Sequence, residues 1–177
     1  MLKSAYLFKE QFDELLRNEL INNPDRLKNI YSLDGYNSFT HIIKDDDWDY
    51  LQMVSLFDNK VSGFISASLD RGKLLVDQLT AISFTNDKIL FTMDLLKFVE
   101  NLFMLPEYNW IRKIECTCIV DTPEDKMWTK YILKLGGRVV GIKEQRYLIK
   151  GKIYDQKIFE ILKSNFNYNE IKKLLNE

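Results

Sequence analysis

Catalysis needs nucleophiles, bases, acids or metal ligands at fixed spacings, and few of the familiar sets occur in this 177-residue chain. His41 is the one histidine, and no nucleophile and carboxylate accompany it as a hydrolytic relay requires. Cys116 and Cys118 lie two apart in a strand-like run, so their side chains share a face. Neighbours at that spacing rarely make a good disulfide, and a zinc site would need two more ligands. They read as small core residues of a reduced protein. Asp45, Asp46, Asp47 and Asp49 form an acidic cluster around Trp48, without the spacing and glycine of a calcium loop. Thr85, Asn86 and Asp87 have the chemistry of helix caps, whose side-chain oxygens accept from free backbone N–H groups.

Composition narrows the function classes further. The chain has 25 lysines and arginines against 26 aspartates and glutamates, a net charge of −1. That balance lacks the basic signature of a nucleic-acid or anionic-membrane binder. Hydrophobic residues make up 46% and aromatics 13%, as in a packed globule. No apolar run is long enough to cross a membrane. Residues 1–12 include Lys3, Lys9 and Glu10 and lack the pattern of a signal peptide, so a cytoplasmic location is expected. Glycine is scarce, with seven residues, and none between Gly72 and Gly136.

Those groups must be held by a definite order of elements. Apolar spacing predicts a helix over 10–22, which Asn23-Pro24 ends. A short helix follows over 24–31, and 34–47 reads as a loop with an Asp34-Gly35 turn. Strands are expected at 49–57, 60–69 and 73–84, separated by Asp58-Asn59-Lys60 and Asp70-Arg71-Gly72 turns. Residues 88–104 carry a helical stripe of Ile89, Met93, Leu96, Val99 and Phe103. A strand is expected at 110–120. Thr122-Pro123-Glu124-Asp125 is a helix start with a capping Thr, Pro at the first position and early acids. That helix runs to Gly136-Gly137 as its C-cap. Strands at 138–142 and 146–149 and helices at 154–164 and 169–175 complete the chain. The expected fold is a single α/β domain over 1–163, followed by an amphipathic helical tail over 164–177.

This order resembles the GNAT superfamily of acetyl-CoA-dependent N-acetyltransferases. Val61-Ser62-Gly63-Phe64-Ile65-Ser66 is similar to the family's third strand. Lys134-Leu135-Gly136-Gly137 is similar to the segment that ends its last core helix, and 148–162 resembles the tail of its amine-modifying members. The resemblance covers residues 5–163 and implies a central, mixed, mostly antiparallel sheet with helices on both faces. It implies acetyl transfer from acetyl-CoA to an amine of a small molecule or protein. Strands four and five, at 74–84 and 111–120, would run parallel and splay around the pantetheine arm. Leu79, Thr80, Ala81, Ile82, Ser83 and Phe84 would hold that arm. Thr85, Asn86, Lys88, Ile89 and Leu90 would face the pyrophosphate.

The resemblance assigns Asp77 as the general base and Tyr131 as the general acid. It also puts the Asp45–Asp49 cluster beside the amine site. Two departures stand out. The family's pyrophosphate loop is rich in glycine and arginine, whereas residues 84–91 hold neither and include Asp87. The family's acid Tyr precedes the helix-ending Gly by four residues, a place taken here by Ile132. Tyr131 is rotated from it by about 100°. An alternative therefore stands beside the enzyme: an inactive GNAT-like binding or structural module, phage-encoded or virion-associated. A protein partner or homo-oligomer is compatible with either.

Overall fold

The computed structural model describes residues 1–22, 43, 48–85, 88–149 and 151–176. The helix expected at 24–31, nearly all of the 34–47 loop with His41 and Asp45–Asp47, and Asn86 and Asp87 lie outside the described residues. In chain order the elements are β1 (Leu2–Ser4), α1 (Lys9–Asn22), β2 (Tyr50–Phe57), β3 (Lys60–Asp70), β4 (Leu75–Ser83) and α2 (Lys88–Met104). There follow β5 (Lys113–Ile119), α3 (Pro123–Lys134), β6 (Arg138–Ile149), β7 (Lys152–Leu162) and α4 (Tyr168–Asn176).

The seven strands form one sheet in the order β1-β2-β3-β4-β5-β7-β6. All neighbours are antiparallel except β4 and β5, which α2 joins as the crossover a parallel pair needs. The β2–β3 turn has positive φ at Asp58 (48°) and Asn59 (60°), the geometry of a tight hairpin. One sheet face packs α2, α3 and α4 through Ile65, Leu79, Leu102, Ile114, Phe159 and Ile171. The other packs α1 through Phe12, Leu16, Val54, Phe64 and Ile82. Each such buried side chain contributes about 1.5–3 kcal/mol.

Helix ends follow the sequence. Thr122 Oγ1 accepts from Asp125 N at 3.2 Å, and Gly136 ends α3 at φ +84°. Gly137 is needed for contact: a Cβ there would lie 2.6 Å from both Glu160 O and Ile132 Cγ2.

Two expectations are corrected. The segment expected as a helix at 154–164 is strand β7. It lies between β5 and β6 and pairs with both; Phe159 and Ile161 face the helix core while Ile158 and Leu162 lie on the other face, and the four together mimic helical spacing. The two strands expected at 138–142 and 146–149 are one, β6, with an irregular register between Lys143 and Tyr147. Gln145 adopts φ 52° there and its N–H donates to Asp155 Oδ1 at 2.8 Å. β1 was carried by no sequence signal.

Candidate active site between strands β4 and β5

Parallel pairing between β4 and β5 stops almost as soon as it starts. Only Leu75 with Lys113 and Val76 with Ile114 are in register, after which the strands part. Next to this split β4 carries a bulge. Ser68 pairs with Gln78 and Leu69 with Val76, leaving Asp77 as the extra residue. A bulge re-aims side chains, and Asp77 is exposed on it.

Along the β4 bank the residues alternate. Leu79 is buried and Ala81 packs in the core beneath α2 and α3. Ile82 is buried on the α1 side, with Phe84 against it. Thr80 and Ser83 are half-buried, and Ser83 Oγ donates to Thr85 O at 3.0 Å.

The first turn of α2 starts at Lys88. Ile89 is 75% and Leu90 43% exposed, so their bulk points outward rather than into the split. Phe91 is the inward residue. Its ring covers Gly63 of β3 so closely that a Cβ there would meet Phe91 Cε2 at 2.3 Å.

Tyr131 lies on α3, half-buried against the large core, with Lys130 Nζ 5.3 Å from its ring centroid. Because α3 packs on β5, β6 and β7, Asp77 and Tyr131 belong to opposite banks. Asp77 stands at the β4 bulge next to the split, while Tyr131 is packed against the core on the other side.

The β5 bank holds polar groups that sequence reasoning missed. Asp125, at the start of α3, is 5% exposed. Lys157 Nζ of β7 donates to its Oδ1 at 2.6 Å and Oδ2 at 2.8 Å. Thr129 Oγ1 and the Asp121 N–H also donate to it, each at 3.0 Å. Burial pushes the Asp125 carboxyl upward, but these hydrogen bonds outweigh it and hold the group below its ordinary range. Burial, then the Asp125 charge, pushes the adjacent Cys118 thiol up to about 12.

On the opposite sheet face, Arg138 Nε donates to Glu160 Oε1 at 2.8 Å. Lys113 bridges Glu115 and Glu160. Tyr147, Gln156 and Thr117 meet on the same face. The early Asp in Thr122-Pro123-Glu124-Asp125 hinted at the first cluster; nothing in the spacing marks the other two.

This arrangement of helices around one mixed sheet is also found in proteins of known structure. The fold is that of the GNAT acetyltransferases. A GCN5-related N-acetyltransferase from Brucella melitensis matches with a TM-score of 0.68 and 15% identity, covering 97% of this chain and 78% of that one. The acetyltransferase of Salmonella typhimurium that modifies the N-terminal serine of ribosomal protein L7/L12 gives 0.69 and 12%, over 91% and 93%. The microcin C7 self-immunity acetyltransferase MccE, solved with acetyl-CoA and AMP, gives 0.64 and 18%, over 90% and 89%. No family model matches the sequence, and no curated protein matches it by sequence.

Proposed function

We propose that the chain is an N-acetyltransferase using acetyl-CoA as donor and an amine as acceptor. The observation that carries this reading is the split of β4 from β5 directly after Val76 and Ile114. A gap of that kind between parallel strands suits a narrow, amide-bearing arm such as pantetheine. The Asp77 bulge and the outward turn of Ile89 and Leu90 keep its banks clear. The MccE complex with acetyl-CoA supports the choice of donor.

In this reading Leu79, Thr80, Ala81, Ile82, Ser83 and Phe84 flank the arm. Thr85, Asn86, Lys88, Ile89 and Leu90 border the pyrophosphate end. The amine nitrogen forms a bond to the acetyl carbon while the carbon–sulfur bond breaks; the amine gives up a proton and the thiolate gains one. Asp77 is the candidate for the first proton and Tyr131 for the second. A cytoplasmic location goes with this reading. Among the described residues no helix is long and apolar enough to cross a membrane.

A second reading, a GNAT-like binding or structural module without turnover, phage-encoded or not, is favoured by the glycine-free interval from Gly72 to Gly136. Melting the protein with and without millimolar acetyl-CoA separates the two. Donor at 100 times its dissociation constant adds about 2.7 kcal/mol, so the transferase reading expects a clear rise in melting temperature. An unchanged melting temperature overturns it.

A further inference from the structure

The β6–β7 hairpin leaves a row of apolar side chains open to solvent. Ile142, Leu148 and Ile153 are each more than half exposed, and Val139 is 39% exposed. Register puts all four on one face of the sheet. Val139 lies opposite Phe159, Ile142 opposite Lys157 and Leu148 opposite Ile153, and residues directly opposite share a face. Phe159 belongs to the core beneath the helices. Residues two apart on a strand point the same way, so Lys157 and Ile153 are on the side of Phe159. The four therefore continue the helix-side face of the sheet out along its margin. Single apolar residues on a surface are ordinary, but a contiguous row of them marks a contact surface.

The chemistry of β6 is balanced about one residue. In Ile142-Lys143-Glu144-Gln145-Arg146-Tyr147-Leu148 an aliphatic residue stands three positions to either side of Gln145. An acid stands just before Gln145 and a base just after it. Two copies laid antiparallel across a two-fold axis at Gln145 would set Glu144 against the partner subunit's Arg146, twice over. The same axis sets Ile142 against the partner subunit's Leu148, on the face they share. Lys143 falls opposite the partner subunit's Tyr147, so no like charges meet. Glu144 and Arg146 are exposed and would form a polar rim beside the aliphatic pairs, as interfaces commonly have. The Gln145 N–H is already given to Asp155, which leaves the contact at the axis to side chains. β6 is an end strand of the sheet and is open to a second copy. A net charge of −1 gives two copies little long-range repulsion.

We propose that the β6–β7 hairpin joins two copies of this chain in a two-fold dimer, centred on Gln145 and packed through Ile142, Leu148 and Ile153. The occupant is a second copy because charge and apolar content are both self-complementary about one point. A two-fold contact requires that match, and an unrelated partner does not. Such a contact uses one hairpin from each copy and closes at two. The proposal does not depend on acetyl transfer. β7 and β5 stand between β6 and the split, so changes on this margin are expected to leave donor binding as it is.

Sedimentation velocity of the full chain, at concentrations up to about 100 µM, tests this. A concentration-dependent species of twice the 21.0 kDa chain mass is expected, with nothing larger. Ile142→Lys and Leu148→Lys change exposed positions, so they keep the melting transition and leave only monomer. Glu144→Arg and Arg146→Glu each bring like charges together and raise the dimer dissociation constant about 10-fold. That loss shrinks as salt is added. Carrying Glu144→Arg and Arg146→Glu in one chain restores the pairing and the dimer. Monomer at every concentration, the outcome if the face serves an unrelated protein, overturns the proposal. So does a dimer indifferent to these substitutions, a double variant no tighter than the single ones, or an assembly that grows beyond two copies.

Discussion

Asp125 ties three elements together with one carboxylate. Its oxygens receive Lys157 from β7, Thr129 from its own helix and the N–H of Asp121 from the end of β5. Asp121 holds φ 63°, a conformation costly for a non-glycine residue and sustained here by that bond. The carboxyl is held below the ordinary aspartate range. A group depressed in the folded state adds stability that is present above the unfolded value and is lost as pH falls through the folded value. The melting temperature is therefore expected to fall on acidification below about pH 4. Asp125→Asn should abolish Asp125's part of that fall. At neutral pH it should cost about 3 kcal/mol, because Lys157 is left largely buried without its counter-charge. A melting series against pH on both proteins checks this; parallel curves would show that another group sets the acid limit. At the same scale, Cys118 is a thiol rather than a thiolate beside this carboxylate, an inert wall residue and not a nucleophile.

Among the elements, α4 shows how much a short segment can hold. Its cap is Asn167, whose Oδ1 accepts from Glu170 N at 3.0 Å. Ile171 is 0% and Leu174 9% exposed, and Phe166 just before it packs at a tilt against Phe103, ring centroids 4.9 Å apart. Ending the chain after Asn165 removes all three, at about 1.5–3 kcal/mol each, against a total stability of about 5–15 kcal/mol for a domain. The shortened protein is expected to lose its sharp unfolding transition in denaturant; a shift of under about 1 kcal/mol would mean the helix is peripheral. The sequence made α4 visible because Ile171, Leu174 and Leu175 share one helical face. It also made α2 visible in its bounds; of the expected stripe Leu96, Val99 and Phe103 face the core, whereas Ile89 is 75% exposed and Phe91 takes the inward place in the first turn. β7 stayed hidden because apolar residues sit on both of its faces, Phe159 and Ile161 under the helices and Ile158 and Leu162 on the other, so alternation fails. The split was reachable through family likeness alone, as nothing in 75–83 or 113–119 encodes that pairing ceases at Val76 and Ile114. The Tyr147–Thr117 contact bridges thirty positions of chain and three strands.

At the scale of the molecule, the sheet is two leaves, β1–β4 and β5–β7, stitched by two residue pairs and clamped by the core under α2, α3 and α4. A donor bound in the split would brace the leaves. Acetyl-CoA is expected to slow amide hydrogen exchange in residues 79–83 and 117–119 while leaving β2 and β6 unchanged. Uniform slowing across the sheet would point to general stabilisation without occupancy of the split.

The sheet also has two ends, and neither offers a straight rail. β1 is three residues long. β6 is broken at Gln145, where the backbone turns its N–H inward to Asp155 and sets Lys143, Glu144 and Arg146 along the rim. A stranger strand that tried to extend the sheet would find too few rungs at one margin and a kink lined with charge at the other. The irregularity that interrupts β6 thus acts as a guard against stacking into fibrils, a safeguard for a protein whose β6–β7 hairpin leaves Ile142, Leu148 and Ile153 more than half exposed.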